Sequence, residues 1–106
     1  MFARLMGLKT ISPRELRDAT GVTIFDVNSQ QSWMSAHVPG AVHLDGDADL
    51  PADKSAPLIF YCSNPLCRKA PNAAKRAKTL GYGDVRVMSA GISGWISAGL
   101  PTESAT

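Results

Sequence analysis

Cysteine is scarce in this sequence, and so are long apolar runs. Two cysteines among 106 residues, Cys62 and Cys67, are too few for a disulfide framework. No apolar stretch approaches the roughly 20 residues that a transmembrane helix requires. Arg4 interrupts the start of the chain, where a secretory signal needs a continuous apolar run. We therefore expect a short mature N-terminus and a cytoplasmic protein with no membrane partner.

The sequence also lacks a metal-ligand pattern and a strong net charge. The spacing Cys62-x4-Cys67 has no second cysteine pair, and His37 and His43 lie far upstream, so we expect no metal site. The net charge of +2 is too small to indicate a nucleic-acid partner. The length fits one globular domain, and nothing in it demands an obligate dimer, so we expect a monomer or a weak dimer.

Charge is unevenly distributed around the two cysteines. A cluster of four acidic residues lies shortly before them, and five of the eleven basic residues follow within a few turns. This pattern fits either a solvated helix face or a local positive field that favours anionic substrates and the thiolate form of cysteine. The acidic residues are Asp45, Asp47, Asp49 and Asp53, and the basic ones are Arg68, Lys69, Lys75, Arg76 and Lys78.

Short apolar runs alternate with helical patterns along the chain. Ser12-Pro13-Arg14-Glu15 has the form of a capping box with proline at the first helical position, and it predicts a helix over about 13–19. The residue types predict strands at 22–27, 41–44, 58–61 and 85–88, and further helices at 29–36, 70–80 and 92–98. The first of these strands shows little alternation, so it should be central and buried on both faces. This order predicts an α/β fold, a small, mostly parallel sheet with helices on both faces.

One predicted strand end carries a thiol. The strand at 58–61 leads directly into Cys62, and open α/β sheets bind ligands at the carboxyl ends of their strands. The loop after it enters a basic helix, so backbone N–H groups and the positive helix end can converge on a low-pKa, partly exposed thiolate. Cys62 is therefore the candidate nucleophile, although a buried, inert cysteine would also fit a strand end. The candidate substrate-binding residues are Ser63, Asn64, Pro65, Leu66, Cys67 and Arg68.

Two nearby residues have both a structural and a functional interpretation. Cys67 is either a small side chain packed in the first turn of a helix or a resolving thiol for a persulfide or sulfenate on Cys62. Asp26 ends its strand and can contact the active loop in a supporting role. We favour the simpler interpretation, a carboxylate that accepts hydrogen bonds from loop N–H groups.

Several separated motifs resemble the rhodanese-homology domain, in matching order. Residues 24–27 (IFDV) are similar to an early strand of that family, 36–41 (AHVPGA) to its GHIPGA segment, and 60–62 (FYC) to the strand that delivers its active cysteine. Residues 80–82 (LGY), Val85, 90–95 (AGISGW) and 99–101 (GLP) follow its C-terminal pattern. The resemblance implies a single rhodanese-like domain over residues 1–106, with its core at about 10–101.

The resemblance also implies a function, sulfur transfer. Cys62 would accept a sulfane sulfur from a small anionic donor such as thiosulfate, and the resulting persulfide would be held by loop N–H groups. A thiol, cyanide or an acceptor protein would then take the sulfur in a ping-pong cycle. Neither a cofactor nor a metal is implied.

Three departures from the family pattern bear on this function. Asn28 stands where the family usually has an arginine, so an ion pair is expected to be missing, and Ala90 replaces the first glycine of a pair. The active loop is also longer than in ordinary single-domain sulfurtransferases. Its spacing, Cys62-x5-Arg68, is that of dual-specificity phosphatases and arsenate reductases of the same fold, whose arginine clamps a tetrahedral oxyanion.

Two alternatives to sulfur transfer therefore stay open. The phosphatase or arsenate reductase hypothesis is weakened because Tyr61 stands where those enzymes usually have histidine, and because the loop holds no carboxylate to act as a general acid. A non-catalytic module that binds and regulates a partner is less favoured still, because such modules commonly lack the cysteine. We favour the sulfurtransferase.

Overall fold

Five parallel strands form the centre of the fold, in the order β1-β5-β4-β2-β3. The structure, a computed structural model, describes residues 3 and 6–105. The strands are β1 (Lys9–Thr10), β2 (Thr23–Asp26), β3 (Val42–His43), β4 (Leu58–Tyr61) and β5 (Val85–Val87). The longer helices are α1 (Pro13–Asp18), α2 (Gln30–Ser35), α3 (Lys69–Thr79) and α4 (Gly91–Ser97), and Asp47–Asp49 forms a 3-10 turn. The predicted α/β class with parallel strand pairing is confirmed.

Two details of the sheet differ from the sequence prediction. The sequence analysis does not predict the edge strand β1, because two residues are too few to show the alternation of apolar and polar side chains that marks a strand. The middle strand is β4, whose four residues are all buried, and not β2, in which Thr23 and Ile24 are only half-buried. The reason is that β3 pairs only with the last two residues of β2. The first half of β2 therefore has no neighbouring strand on the β3 side. The predicted short mature N-terminus falls partly on residues 1, 2, 4 and 5, outside the described residues.

Alternate residues of β4 enter two separate cores, one on each face of the sheet. Leu58 and Phe60 pack with the alanines of α3 and with residues near the N-terminus. Ile59 and Tyr61 pack on the opposite face with Leu16 of α1 and with residues of α4. This period-2 division is what a strand covered on both sides requires. Helices therefore cover both faces, as predicted.

Local signals at the helix ends agree with the structure. The Ser12 hydroxyl accepts from the backbone N–H of Glu15, and the Glu15 carboxylate accepts from the N–H of Ser12, which completes the predicted capping box. After α3 the chain turns at Gly81, which has the left-handed φ of +103° that commonly ends a helix. None of the helices in the described part of the chain is long and apolar enough to cross a membrane.

A buried hydrogen-bond network joins β2 to β4 at their carboxyl ends. Asp26 is fully buried, and its carboxylate accepts from the Tyr61 hydroxyl at 2.7 Å and from the backbone N–H of Asn28 at 2.8 Å. The same hydroxyl accepts from the backbone N–H of Val38 at 3.0 Å. Burial, together with the hydrogen bond to Asp26, raises the pKa of Tyr61 far above its ordinary value, so the phenol stays protonated as the donor.

Tyr61→Phe is expected to lower the free energy of unfolding by about 2–4 kcal/mol, because it leaves both the Asp26 carboxylate and the Val38 N–H short of a partner in the interior. Urea unfolding followed by circular dichroism measures this. Tyr82→Phe is the matched control, since Tyr82 is also buried but its hydroxyl bonds a single carbonyl, that of Pro51. Equal losses in the two variants would show that the Asp26 network has no special weight.

Candidate active site

Cys62 lies directly after β4, and the first turn of α4 holds it there. The carbonyl of Cys62 accepts from the backbone N–H of Ile92 at 2.8 Å, and the carbonyl of Ser63 accepts from that of Ser93 at 3.0 Å. This close approach requires glycine at position 91, where a Cβ would lie 2.6 Å from the backbone N of Asn64. Backbone contacts thus hold the active loop in place. In the sequence, the only sign of these contacts is the glycine at position 91.

The active loop then folds back on itself, which brings Cys67 close to Cys62. The Asn64 side chain accepts from the N–H of Leu66 at 2.9 Å, and the Asn64 carbonyl accepts from the N–H of Cys67 at 3.1 Å. These two bonds close a tight turn. As a result the Cys62 Sγ lies 3.6 Å from the carbonyl oxygen of Cys67. Leu66, at the tip of the turn, is 70% exposed.

The fold of the loop brings the two cysteines together, and backbone N–H groups converge on both sulfur atoms. The N–H of Ser63 approaches both sulfur atoms, that of Ala70 approaches Cys62, and that of Lys69 approaches Cys67. The last two donors come from the start of α3, whose positive end faces the sulfurs. The predicted convergence of loop and helix N–H groups is therefore present.

The expectation that Cys62 is a partly exposed, low-pKa thiolate is wrong for this structure. Cys62 is only 3% exposed. Its burial, reinforced by the hydrogen bond that its thiol donates to Cys67, raises its pKa above the ordinary value despite the N–H groups of Ala70 and Ser63. At Cys67 burial also raises the pKa, but the effect is smaller. The Cys62 thiol, the N–H groups of Lys69 and Ser63, and the positive charge of Lys69 all lower the pKa, and together they outweigh burial. The pKa of Cys67 is therefore lowered. Cys67 is therefore the thiol that ionises more readily.

A small cavity of about 10 Å³ opens beside the two sulfur atoms. This volume is close to that of a single water-sized sphere. The Oγ of Ser89 is shielded from solvent and has no hydrogen-bond partner among the described residues, although a buried hydroxyl normally has one. The cavity is lined by Ala3, Cys62, Asn64, Pro65, Cys67, Ala70, Pro71, Val87, Met88 and Ser89.

The predicted site residues divide into those that line the cavity and those that do not. Cys62, Asn64, Pro65 and Cys67 line it. Ser63, Leu66 and Arg68 are exposed residues outside the lining, and Arg68 occupies the N-cap position of α3. Ser89 is absent from the sequence prediction. Its position two residues after β5, at the strand edge that also carries Cys62, is the signal that could have found it.

Asn28 connects the Asp26 network to the active loop. Its side-chain oxygen accepts from the Ser63 hydroxyl at 2.7 Å, while its backbone N–H donates to Asp26. The backbone carbonyl of Asn28 in turn accepts from Nε2 of His43 at 2.8 Å. Asp26 therefore supports the loop through Asn28, as an acceptor of a loop N–H. Asn28, which stands where the family usually has an arginine, thus makes a direct hydrogen bond to the active loop.

Within residues 3 and 6–105, no group of three or more histidine, cysteine, aspartate or glutamate side chains is placed to hold a metal ion. The chemistry available at the site is that of two adjacent thiols, converging backbone donors and one unpaired hydroxyl. Such a set can hold a sulfur nucleophile and stabilise negative charge on a sulfur atom attached to it.

Comparisons with known proteins agree with this geometry. The thiosulfate sulfurtransferase GlpE of Haemophilus influenzae is 28% identical over 106 residues, which cover 94% of this chain and 99% of that protein. The HTH-type transcriptional regulator Rv0324 of Mycobacterium tuberculosis is 31% identical over 93 residues, and the match spans 82% of this chain but only 40% of the regulator. A crystal structure of a thiosulfate sulfurtransferase from Pseudomonas aeruginosa superposes with a TM-score of 0.81 at 27% identity, over 92% of this chain and 20% of that one.

The family model that describes the rhodanese-like domain matches residues 12–98, which include every strand except β1, all four helices and the whole active loop. Relatives of this kind support sulfur transfer as the activity at the level of the family. With a cysteine at the end of the central strand and a loop of converging N–H groups after it, this chain belongs to the rhodanese-like family.

Proposed function

We propose that the protein is a sulfurtransferase that carries a sulfane sulfur as a persulfide on Cys62. The donor is a small anion such as thiosulfate, and the acceptor is a thiol, cyanide or a protein. The observation that supports this most directly is the position of the Cys62 thiol, which lies beside a cavity of one-atom size and receives backbone N–H groups from both the loop and α3. The outer sulfur of a persulfide is a single additional atom, and it needs such donors because it carries negative charge.

The proximity of Cys67 explains how a buried Cys62 becomes nucleophilic. The Cys62 proton passes to the Cys67 thiolate as the Cys62 sulfur attacks the outer sulfur of thiosulfate. The new S–S bond forms as the bond between the two sulfur atoms of thiosulfate breaks, and sulfite leaves with the electron pair. The N–H groups of Ser63 and Ala70 and the unpaired Ser89 hydroxyl are available to the persulfide.

The second half of the cycle returns Cys62 to its starting state. A nucleophilic acceptor attacks the outer sulfur, and the Cys62 thiolate leaves. The acceptor approaches from the side of the exposed loop tip at Leu66, where apolar surface is available to an acceptor protein. No redox partner is consumed when the acceptor takes the sulfur in this way.

Single-turnover release of sulfite tests the proposal. Reduced protein mixed with thiosulfate, without any added acceptor, is expected to release one equivalent of sulfite per chain. Absence of sulfite together with hydrolysis of an aryl phosphate, or with reduction of arsenate, would replace the proposal by the oxyanion chemistry that Cys62-x5-Arg68 suggests. Activity in none of these assays would favour a non-catalytic binding module.

A further inference from the structure

The contact between Cys62 and Cys67 gives a persulfide a second partner within the same loop. Both cysteines are free thiols. The Cys62 Sγ lies 3.6 Å from the carbonyl oxygen of Cys67, and both cysteines line the same small cavity. External acceptors must reach a sulfur that is almost fully buried, whereas Cys67 lies beside it in the same loop.

We propose that Cys67 is an internal acceptor: it passes the proton that it received to the outer sulfur of the Cys62 persulfide, and its thiolate then attacks the inner sulfur, closes a Cys62–Cys67 disulfide and expels the outer sulfur as hydrosulfide. This inference rests on the proposed function, because it requires the persulfide. It adds a second activity to sulfur transfer. Hydrosulfide is released from thiosulfate while the two thiols of the active loop are oxidised to a disulfide.

The contact geometry favours the inner sulfur as the point of attack. The Cys62 Sγ, which becomes the inner sulfur once the persulfide has formed, is the atom that lies 3.6 Å from the Cys67 carbonyl oxygen. Both cysteines line the same small cavity, so the two sulfur atoms can meet without unfolding of the loop.

Proximity and thiolate character both favour Cys67 over an acceptor from solution. Neighbouring groups held in contact react with effective concentrations far above those of any free thiol in solution. The lowered pKa of Cys67 supplies the thiolate that thiol–disulfide exchange requires.

The reaction balances without an oxidant. One thiosulfate and two thiols give one disulfide, one sulfite and one hydrosulfide, so the outer sulfur of thiosulfate is reduced while the two cysteines are oxidised. The loop is then oxidised and inactive until a dithiol reductant restores both thiols by exchange. The inference thus assigns a dithiol as the class of co-substrate for repeated turnover.

The fate of the sulfur tests the inference, with reduced wild type and Cys67→Ser compared after exposure to thiosulfate. Wild type is expected to release hydrosulfide with its sulfite and to become lighter by two hydrogen atoms, as intact-protein mass spectrometry measures. Cys67→Ser, which lacks the thiolate that accepts the Cys62 proton, is expected to release sulfite more slowly, to gain the mass of one sulfur atom on Cys62, and to form less than about one hydrosulfide for every hundred sulfites. Cys67→Ala is the second variant, in case serine disturbs the turn.

The outcomes separate the inference from the proposed function. Sulfite without hydrosulfide, with a stable extra sulfur on Cys62 of the wild type, would overturn the inference and leave the transferase intact. An extra sulfur found on Cys67 would also overturn it, since the outer sulfur would then have been the one attacked. Absence of sulfite from wild type and both variants would instead overturn the proposed function.

Discussion

Replacing Cys62 by serine is expected to abolish the release of sulfite from thiosulfate, with a loss of at least about 1,000-fold relative to the wild type. The serine hydroxyl cannot form a persulfide, and the other thiol that lines the cavity, Cys67, is less deeply buried. Cys67 occupies the loop side of the pair and lacks the direct approach of the Ala70 N–H that Cys62 has. Sulfite is measured in a single turnover of the reduced protein.

The Cys62→Ser variant should fold normally, which makes the result interpretable. The bond between the Cys62 carbonyl and Ile92 is formed by the backbone and does not depend on the side chain. The serine hydroxyl can donate to the Cys67 carbonyl as the thiol does. Cys67→Ser is the matched control, since it makes the same chemical change five residues later and retains Cys62. Full sulfite release by Cys62→Ser, or its complete loss in both variants, would contradict our assignment of the nucleophile.

Replacing Gly91 by alanine is expected to cost more than about 4 kcal/mol of the free energy of unfolding, out of a total of roughly 5–15 kcal/mol for a typical domain. An alanine Cβ would lie 2.6 Å from the backbone carbon of Ser63 and 2.7 Å from its carbonyl oxygen. These are backbone atoms beside Cys62, so they cannot rotate away as a flexible side chain would. Relief requires the loop to separate from α4, which breaks the bonds that hold Cys62 and Ser63.

Gly99→Ala separates this clash from simple backbone strain. Gly99 has φ of +78°, close to the +68° of Gly91, but a Cβ there meets nothing within 4 Å. The control should therefore lose only the roughly 1 kcal/mol that alanine costs in a left-handed conformation. Urea unfolding of both variants measures the difference, and sulfite release should fall with the Gly91 variant alone. Similar losses in the two variants would mean that contact between α4 and the loop is unimportant.

Strand and helix types could be predicted from the sequence because their signals are local. The apolar run at Leu58–Tyr61, the capping box at Ser12 and the glycine after α3 each act within a few residues, and each lies where the pattern places it. The edge strand β1 depends instead on pairing with β5, more than seventy residues away in the chain, and two residues carry no periodic signal. Its absence from the prediction follows from that distance.

The site was predictable in its position but not in its electrostatics. A strand end followed by a basic helix correctly brings Cys62 and converging N–H groups together. Cys62, however, is buried in a core that includes Ala3 and Val87, which are far from it in sequence. Cys67 returns to Cys62 through the local turn at Asn64. Which thiol ionises more readily therefore depends on distant packing, which counting charges along the chain could not reveal.

The two edge strands have a consequence for how copies of the protein meet. Another chain can pair with the free backbone groups of an edge strand, and the risk of aggregation rises with the length of that strand. Here both edges, Lys9–Thr10 and Val42–His43, are only two residues long, while the longer apolar strands are enclosed between them. Each border of the sheet thus offers too few free backbone groups to seed strand addition. The brevity of β1, which hides it from sequence analysis, is also a protection against aggregation.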